Sequence, residues 1–357
     1  MIQRREWLAG AASLAVLGGC AAPQTNAVPA AGAGDGSLRR IALGSCIDQD
    51  RPAPIWDTIV AAKPDLFIFG GDNVYCEMPY TQDRLRRAYA QAAESPGMSR
   101  LRRSVPHLAI WDDHDYGLND GGAEFAFKTQ AKAEFIAFWK LPPGDPRHSR
   151  EGLYHAQVFG PVGQQVQVIL LDARWFRSPW KRTDQRDAPG KERYIPDDSP
   201  RKTMLGEEQW RWLEVQLRQP AQVRLLVSGI QVVADGHAWE RWGNLPRERE
   251  RLYRLIGSTG AQGVVLLSGD RHIGALYRQS AGTPYPLVEM TSSGITHPWR
   301  TASEAGPNRL GELFTDFHFG TVDIDWDGGA VALSIRDIDG KPQRTASLPF
   351  NHLKAQP

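Results

Sequence analysis

Leu66-Phe67-Ile68-Phe69-Gly70-Gly71-Asp72-Asn73-Val74-Tyr75 is the stretch that decides the fold. A short apolar run closed by glycines reads as a strand buried on both faces, and a carboxylate and a phenol follow it at once. The pattern recurs along the chain. Leu43 is followed by Gly44-Ser45-Cys46, Trp111 by Asp112-Asp113-His114-Asp115, Val227 by Ser228-Gly229-Ile230-Gln231, and Leu267 by Ser268-Gly269-Asp270-Arg271-His272. Open α/β sheets carry their sites outside the carboxyl ends of strands. One such placement is common by chance; a series bearing acids, His and Cys predicts a composite site on an α/β scaffold.

Outward from that stretch, apolar runs alternate with helical patterns. The periodicity predicts strands at Arg40–Leu43, Leu66–Phe69, Leu108–Trp111, Arg224–Val227 and Val264–Leu267. Leu153–Phe159 and Gln165–Leu171 flank Gly160-Pro161-Val162-Gly163 as a hairpin. Helices are predicted at Ile55–Ala62, Thr81–Ala93, Glu124–Trp139, Glu207–Arg218 and Arg247–Ile256. The tail is β-rich, near Val288–Met290, Thr321–Ile324 and Val331–Ile335.

Composition narrows the class. With 357 residues, 41% hydrophobic and 23% charged, the chain can bury a sizeable core and is not globally disordered. Three cysteines are too few for a disulfide scaffold. Lys+Arg of 42 against Asp+Glu of 41 gives none of the basic excess of a nucleic-acid binder.

Residues 1–20 read as an address. Arg4-Arg5 precedes an apolar run that ends in Leu17-Gly18-Gly19-Cys20. The run is shorter than the roughly 20 residues that span a bilayer, and its end resembles a lipobox, which would make Cys20 the lipidated residue of an exported, membrane-anchored protein facing periplasm or cell exterior. A simple cleaved secretory signal is the alternative. Twin arginines suit export of a folded, cofactor-loaded protein. Residues 21–38, rich in Ala, Gly and Pro, read as a flexible tether, and 39–357 as one catalytic unit.

The donors on offer are a thiol, several carboxylates, a phenol and imidazoles. Carboxylates clustered without metal repel one another; around metal ions they form a charged cage, so a polynuclear hydrolytic site is the natural expectation. Carboxylates favour calcium or magnesium. A phenolate favours a strongly acidic cation such as ferric iron, and the Cys46 thiolate suits the same iron or zinc.

Taken in order, Gly44-Ser45-Cys46, Gly71-Asp72-Asn73-Val74-Tyr75, Trp111-Asp112-Asp113-His114-Asp115, Leu171-Asp172-Ala173-Arg174 and Gly269-Asp270-Arg271-His272 resemble the motifs of PhoD-like alkaline phosphatases, within the calcineurin-like metallophosphatases. Tyr116-Gly117-Leu118-Asn119-Asp120-Gly121-Gly122 and Thr291-Ser292-Ser293-Gly294-Ile295-Thr296-His297 are similar to that family too, so the resemblance runs from about Ile41 to His297. It implies an α/β, metallophosphatase-like β-sandwich of two mixed sheets flanked by helices. It also implies one Fe3+ and one or two Ca2+, held by Cys46, Asp72, Tyr75, Asp113, Asp270 and His272, with Asp72 bridging two ions. Asp113 stands where broader metallophosphatases have a ligand Asn. His114 matches the residue that contacts the phosphate or protonates the leaving oxygen. Cys76, directly after Tyr75, departs from the pattern as an inert residue or an extra ligand. An N-terminal β-sandwich like that of bacterial members is not expected ahead of the first motif.

Several residues carry two readings. Cys46 and Cys76 offer a disulfide in an exported protein. One of Asp112 and Asp115 caps a helix or supports a ligand. Arg174 and Arg177 either clamp a phosphate or fix the loop that follows, whose positive excess over 174–203 suits a lid for anions. Trp239-Glu240-Arg241-Trp242-Gly243-Asn244 forms a pocket wall or packs on the next helix. His297 is a further candidate at the site. The functional expectation is a metal-dependent phosphoester hydrolase using a metal-activated hydroxide. The alternatives are a phospholipase-like or wall-polymer phosphodiesterase, and a non-catalytic surface-binding lipoprotein. Oligomeric state is not legible.

Overall fold

The computed structural model describes residues 36–76 and 78–355. The address, Cys20 and most of the tether lie outside the described residues. No helix among the described residues is long and apolar enough to cross a membrane.

In chain order the elements are β1 (Arg40–Gly44), α1 (Trp56–Ala61), β2 (Leu66–Gly70), α2 (Gln82–Glu94), α3 (Pro96–Ser104), β3 (His107–Ile110), α4 (Asp113–Tyr116), α5 (Lys128–Trp139), β4 (His155–Phe159), β5 (Val166–Leu170), α6 (Gly206–Leu217), β6 (Val223–Ser228), α7 (Pro246–Ser258), β7 (Val264–Ser268), β8 (Gly274–Gln279), β9 (Leu287–Ser292), β10 (His318–Asp325), β11 (Ala330–Asp337) and β12 (Pro342–Pro349). They build two six-stranded sheets, ordered β12-β11-β10-β1-β2-β3 and β4-β5-β6-β7-β9-β8. Both are mixed. β1, β2 and β3 run parallel, with β10 antiparallel to β1. β5, β6, β7 and β9 run parallel, with β4 and β8 antiparallel at the edges. The expected β-sandwich of two mixed sheets is the observed architecture, and the predicted hairpin is β4–β5.

The period of two along the strands explains how the sheets stack. In the second sheet Val168, Leu170, Leu225, Val227, Val265 and Leu267 join the core shared with the first sheet, while Ile169, Leu226, Val264 and Leu266 join a second cluster under α6 and α7. A strand covered on both faces must be apolar at every position, hence the unbroken runs. On the other side, Trp56 of α1 meets Phe67 at 6.2 Å and Trp139 of α5 meets Phe69 at 4.7 Å between ring centroids. α2 starts where the Thr81 side chain accepts the Arg84 N–H, and buries Leu85, Ala88, Tyr89 and Ala92 at helical spacing.

The departures from expectation have local causes. α5 begins at Lys128, not Glu124, because the preceding turn is tied elsewhere: Ala123 N–H donates to Arg177 O and Phe125 N–H to Gly122 O. α3, β8 and β12 are not among the expected elements; α3 is short and polar, with Met98 and Leu101 alone buried. β12, PQRTASLP, is a largely polar edge strand with Pro at both ends, as edges tolerate.

Candidate metal centre

The parallel strands of both sheets send their carboxyl ends to one rim, and the loops there turn sharply. Cys46, Asp72, Asp270 and His272 all adopt positive φ, at 60°, 49°, 66° and 56°. Non-glycine residues avoid this region, and such strain concentrates where geometry serves a site. Glycines make the turns possible. Gly71 has φ 107°, and a Cβ there would meet Asp112 Cβ at 2.5 Å; a Cβ on Gly269 would run into the Ser45 hydroxyl. The two sheets therefore approach through bare backbone.

The result is convergence. Asp72, Asp112, Asp113 and Asp270 each offer an oxygen within 4.8 Å of the others. Cys46, Asp72 and His272 form a second such group, and Asp72, Asp113 and His114 a third. Cys46 Sγ lies 3.5 Å from Asp72 Oδ2, and Tyr75 Oη lies 3.2 Å from His272 Nε2. The Tyr75 ring sits 4.0 Å from that of His114 and 5.0 Å from that of His297, which in turn is 4.2 Å from His272. Every residue singled out as a ligand from the sequence is thus brought to one place, with His114 and His297 beside it. Cys46 is a thiol, and no disulfide joins it to Cys76.

A layer of polar contacts holds the ligand candidates. Asp72 Oδ1 accepts the His114 N–H at 3.1 Å, and Asp113 Oδ2 accepts the Asp120 N–H at 2.7 Å. Asp115 accepts from the Asp112 N–H at 2.7 Å and the Asn73 amide at 2.6 Å, so it starts α4 and steadies the Asp72 turn. The guanidinium of Arg174, fully buried, donates Nε to Asp112 Oδ1 at 2.5 Å and grips Glu240 with both terminal nitrogens. Arg177, equally buried, donates to the carbonyls of Asp120 and Ser178 and lies over the Trp180 ring. Of their two readings, the structure builds the loop-fixing one. The Trp239–Asn244 stretch divides: Trp242 is buried, packed on Trp210 of α6 with its Nε1 donating to Ser228, whereas Trp239 stays half-buried beside Arg193 and Arg271. Glu240 escaped the sequence reading because nothing local marks it; its partner lies in another loop.

The electrostatics state what the cluster lacks. Burial, and then the neighbouring carboxylates Asp113, Asp112, Asp115 and Asp270, push the Asp72 carboxyl far above its usual range. Burial and the charges of Glu240 and Asp112 do the same to Asp270. Burial raises the Cys46 thiol and the Tyr75 phenol, and nearby carboxylates raise both further. Asp113 stands below the usual range: burial raises it, but His114 and Arg174 outweigh that. Asp112 Oδ2 and Asp113 Oδ1 are buried with no hydrogen-bond partner, a costly condition for carboxylates. Orphaned oxygens in a cage of four acids and one guanidinium fit multivalent cations, and the donor set of thiol, phenol, imidazole and carboxylates is a metal-ligand set.

Comparison with known proteins agrees with this geometry. The chain is 25% identical over 207 residues to alkaline phosphatase D of Bacillus subtilis, covering 52% of this chain and 34% of that one. It is 28% identical over 160 residues to the probable inactive purple acid phosphatase 14 of Arabidopsis thaliana, covering 40% and 38%. The chain therefore spans little more than a third of the curated relatives it matches. The solved structure of PhoD superposes with a TM-score of 0.68 at 17% identity, covering 90% of this chain and 69% of that one. A purple acid phosphatase from yellow lupin (Lupinus luteus) seeds gives 0.57 at 12%, covering 90% and 55%. At those identities the likeness is one of fold, and both share the two-sheet architecture. The sequence also matches one family across residues 42–314, from the third residue of the first strand past the last motif, and with the strand-end ligand candidates gathered as they are, the chain belongs to the PhoD-like phosphatases.

Proposed function

We propose that this protein is an exported, metal-dependent phosphoester hydrolase. The observation that carries the reading is the sharing of Asp72: it belongs both to the Cys46–Asp72–His272 group and to the Asp72–Asp112–Asp113–Asp270 group, the position of a carboxylate common to two ions. Cys46, Tyr75 and His272 on one side offer the softer and phenolic donors of a ferric ion, and the carboxylates on the other offer the oxygen cage of calcium. When bound, such ions neutralise phosphoryl oxygens and make water a better nucleophile.

The side chains supply the rest. Asp72 accepts the His114 N–H in the first turn of α4 and Asp113 ties that turn to Asp120 in the following loop, so the His114 imidazole is presented half-buried beside the Tyr75 ring. From there it holds a proton for the leaving oxygen, the work of a general acid. No covalent nucleophile is required. His297, whose imidazole burial and Arg51 push down to about 4, stands beside Tyr75 and His272 as a neutral hydrogen-bonding group. Arg174 and Arg177 act on substrate only indirectly, through the carboxylates and loop they hold.

The twin arginines and the Leu17-Gly18-Gly19-Cys20 end favour a lipid-anchored location, and with it a second reading in which phospholipid headgroups or wall-polymer diesters are the substrates. A surface-binding lipoprotein without catalysis has no need of the full ligand set. Elemental analysis of the purified protein, with chromogenic monoester and diester assays, tests all three. Bound iron with calcium and turnover of either ester supports the hydrolase, while bound metal with no turnover supports the binding protein.

A further inference from the structure

Trp299 is the one exposed tryptophan among the described residues, 36% accessible, and its backbone is tied to a ligand candidate of the metal centre. Its backbone N–H donates to the carbonyl of His272 at 2.7 Å, and it lies two residues beyond His297, whose ring touches His272 and Tyr75. A single exposed apolar side chain is ordinary; one bolted to a ligand candidate is not. The indole Nε1 already donates to Thr301 Oγ1 at 3.0 Å, so the ring edge asks nothing of a ligand and the π-surface is what remains on offer. Trp239 braces it, the two rings 5.9 Å apart at 88°. The Arg271 guanidinium lies 5.2 Å from the Trp239 ring and 5.7 Å from the Trp299 ring, its charge matched by Glu304 at 2.8 Å. Arg271 itself sits between Asp270 and His272 in sequence, so one short loop sets both the ligands and the aromatic pair.

We propose that Trp299, backed by Trp239 and Arg271, is the stacking platform for a flat ring on the substrate, so that aryl or nucleoside phosphoesters are the favoured class. The proposal rests on the hydrolase reading above. Rigid aromatic faces bind flat rings with little loss of side-chain freedom, and a stacked ring contributes roughly a tenfold to hundredfold preference. A phosphoryl group at the metal centre leaves its esterified ring to lie over Trp299, on the imidazole side of the site.

The test compares the metal-loaded wild-type protein with Trp299→Leu and Trp299→Phe on phenyl phosphate, adenosine 5′-monophosphate and glycerol phosphate. The quantity read is kcat/KM for each ring-bearing ester relative to glycerol phosphate. Trp299→Leu should lower that ratio about tenfold through KM, and Trp299→Phe should restore most of it. A fall for adenosine 5′-monophosphate alone assigns the platform to nucleobases, and a fall for both assigns it to flat rings generally. In parallel, adenosine 5′-monophosphate should quench tryptophan fluorescence in wild type and lose that component in both variants. An unchanged ratio with unchanged quenching overturns the platform. Absence of turnover on these three monoesters and on a chromogenic diester overturns the hydrolase reading instead, and the quenching arm then decides the platform alone.

Discussion

Arg174 and Asp112 are joined at 2.5 Å between Nε and Oδ1, both wholly inside the protein and 62 residues apart in sequence. The pair ties the loop after β5, in one sheet, to the loop after β3, in the other. Arg174 is raised far above its ordinary range: burial works against its charge, but Asp112, Glu240 and Asp113 together prevail. It is the fixed cation around which an otherwise anionic centre is organised.

Replacing Arg174 with Met should therefore leave Asp112 and Glu240 buried without their counter-charge. Breaking a buried pair from one side costs about 3–5 kcal/mol, and urea denaturation of the metal-free protein should show a loss of that size. Glu240→Gln, which keeps the shape and leaves Arg174 its bond to Asp112, should cost clearly less. Equal losses would mean that packing, not charge, holds the two sheets here.

Asp72→Asn should deplete both classes of ion, because Asp72 contributes to both ligand groups. Iron and calcium per chain, measured after gel filtration, should fall together, and kcat/KM should drop by more than about 10²-fold. Loss of one metal with full retention of the other would assign Asp72 to a single ion.

His114→Ala should keep its metals and lose turnover according to the leaving group. General-acid assistance contributes about 10²–10⁴-fold, and aryl phosphates, whose leaving oxygen needs little protonation, should suffer far less than alkyl phosphates. If the variant loses metal, His114 joins the candidate ligands Asp72 and Asp113; if good and poor leaving groups suffer equally, the acid is elsewhere.

His318 predicts how stability depends on pH. It is fully buried; Nε2 accepts the Ser293 N–H at 3.2 Å and Nδ1 faces the Asp316 carbonyl at 2.6 Å. That pairing needs a neutral ring, and burial lowers the imidazole from 6.5 to about 4. The unfolded chain takes up a proton below about 6.5 and the folded one does not, so stability is full above that value and lost as pH falls towards 4. Denaturation at pH 7 and pH 5 should differ by about 2 kcal/mol from this residue, and His318→Gln should remove that increment.

The strands that carry the site were legible because a strand buried on both faces must be apolar throughout, as Leu66–Gly70 and Val264–Ser268 are, and the polar residues that interrupt such runs mark where the chain reaches the rim. Cys46, Asp72, Tyr75, Asp113, His114, Asp270 and His272 could be named for that reason: each is local to a strand end. β12 and the start of α5 could not, since an edge strand and a tied turn answer to partners elsewhere in the chain. Glu240 and the commitment of Arg174 were hidden for the same reason, and so was the division between the buried Trp242 and the half-buried Trp239 within one run.

By itself, then, the sequence determined which buried strands would carry the site, which chemical groups would stand at their ends, and that those groups could serve as metal donors. Only the tertiary structure decided which side chains gather around Asp72, that Arg174 serves Asp112 and Glu240, and that Trp299 faces outward at the rim. Strand formation follows from burial and local pattern, which are written residue by residue; the pairing of charges and the exposure of a ring depend on distances between segments that only folding brings together.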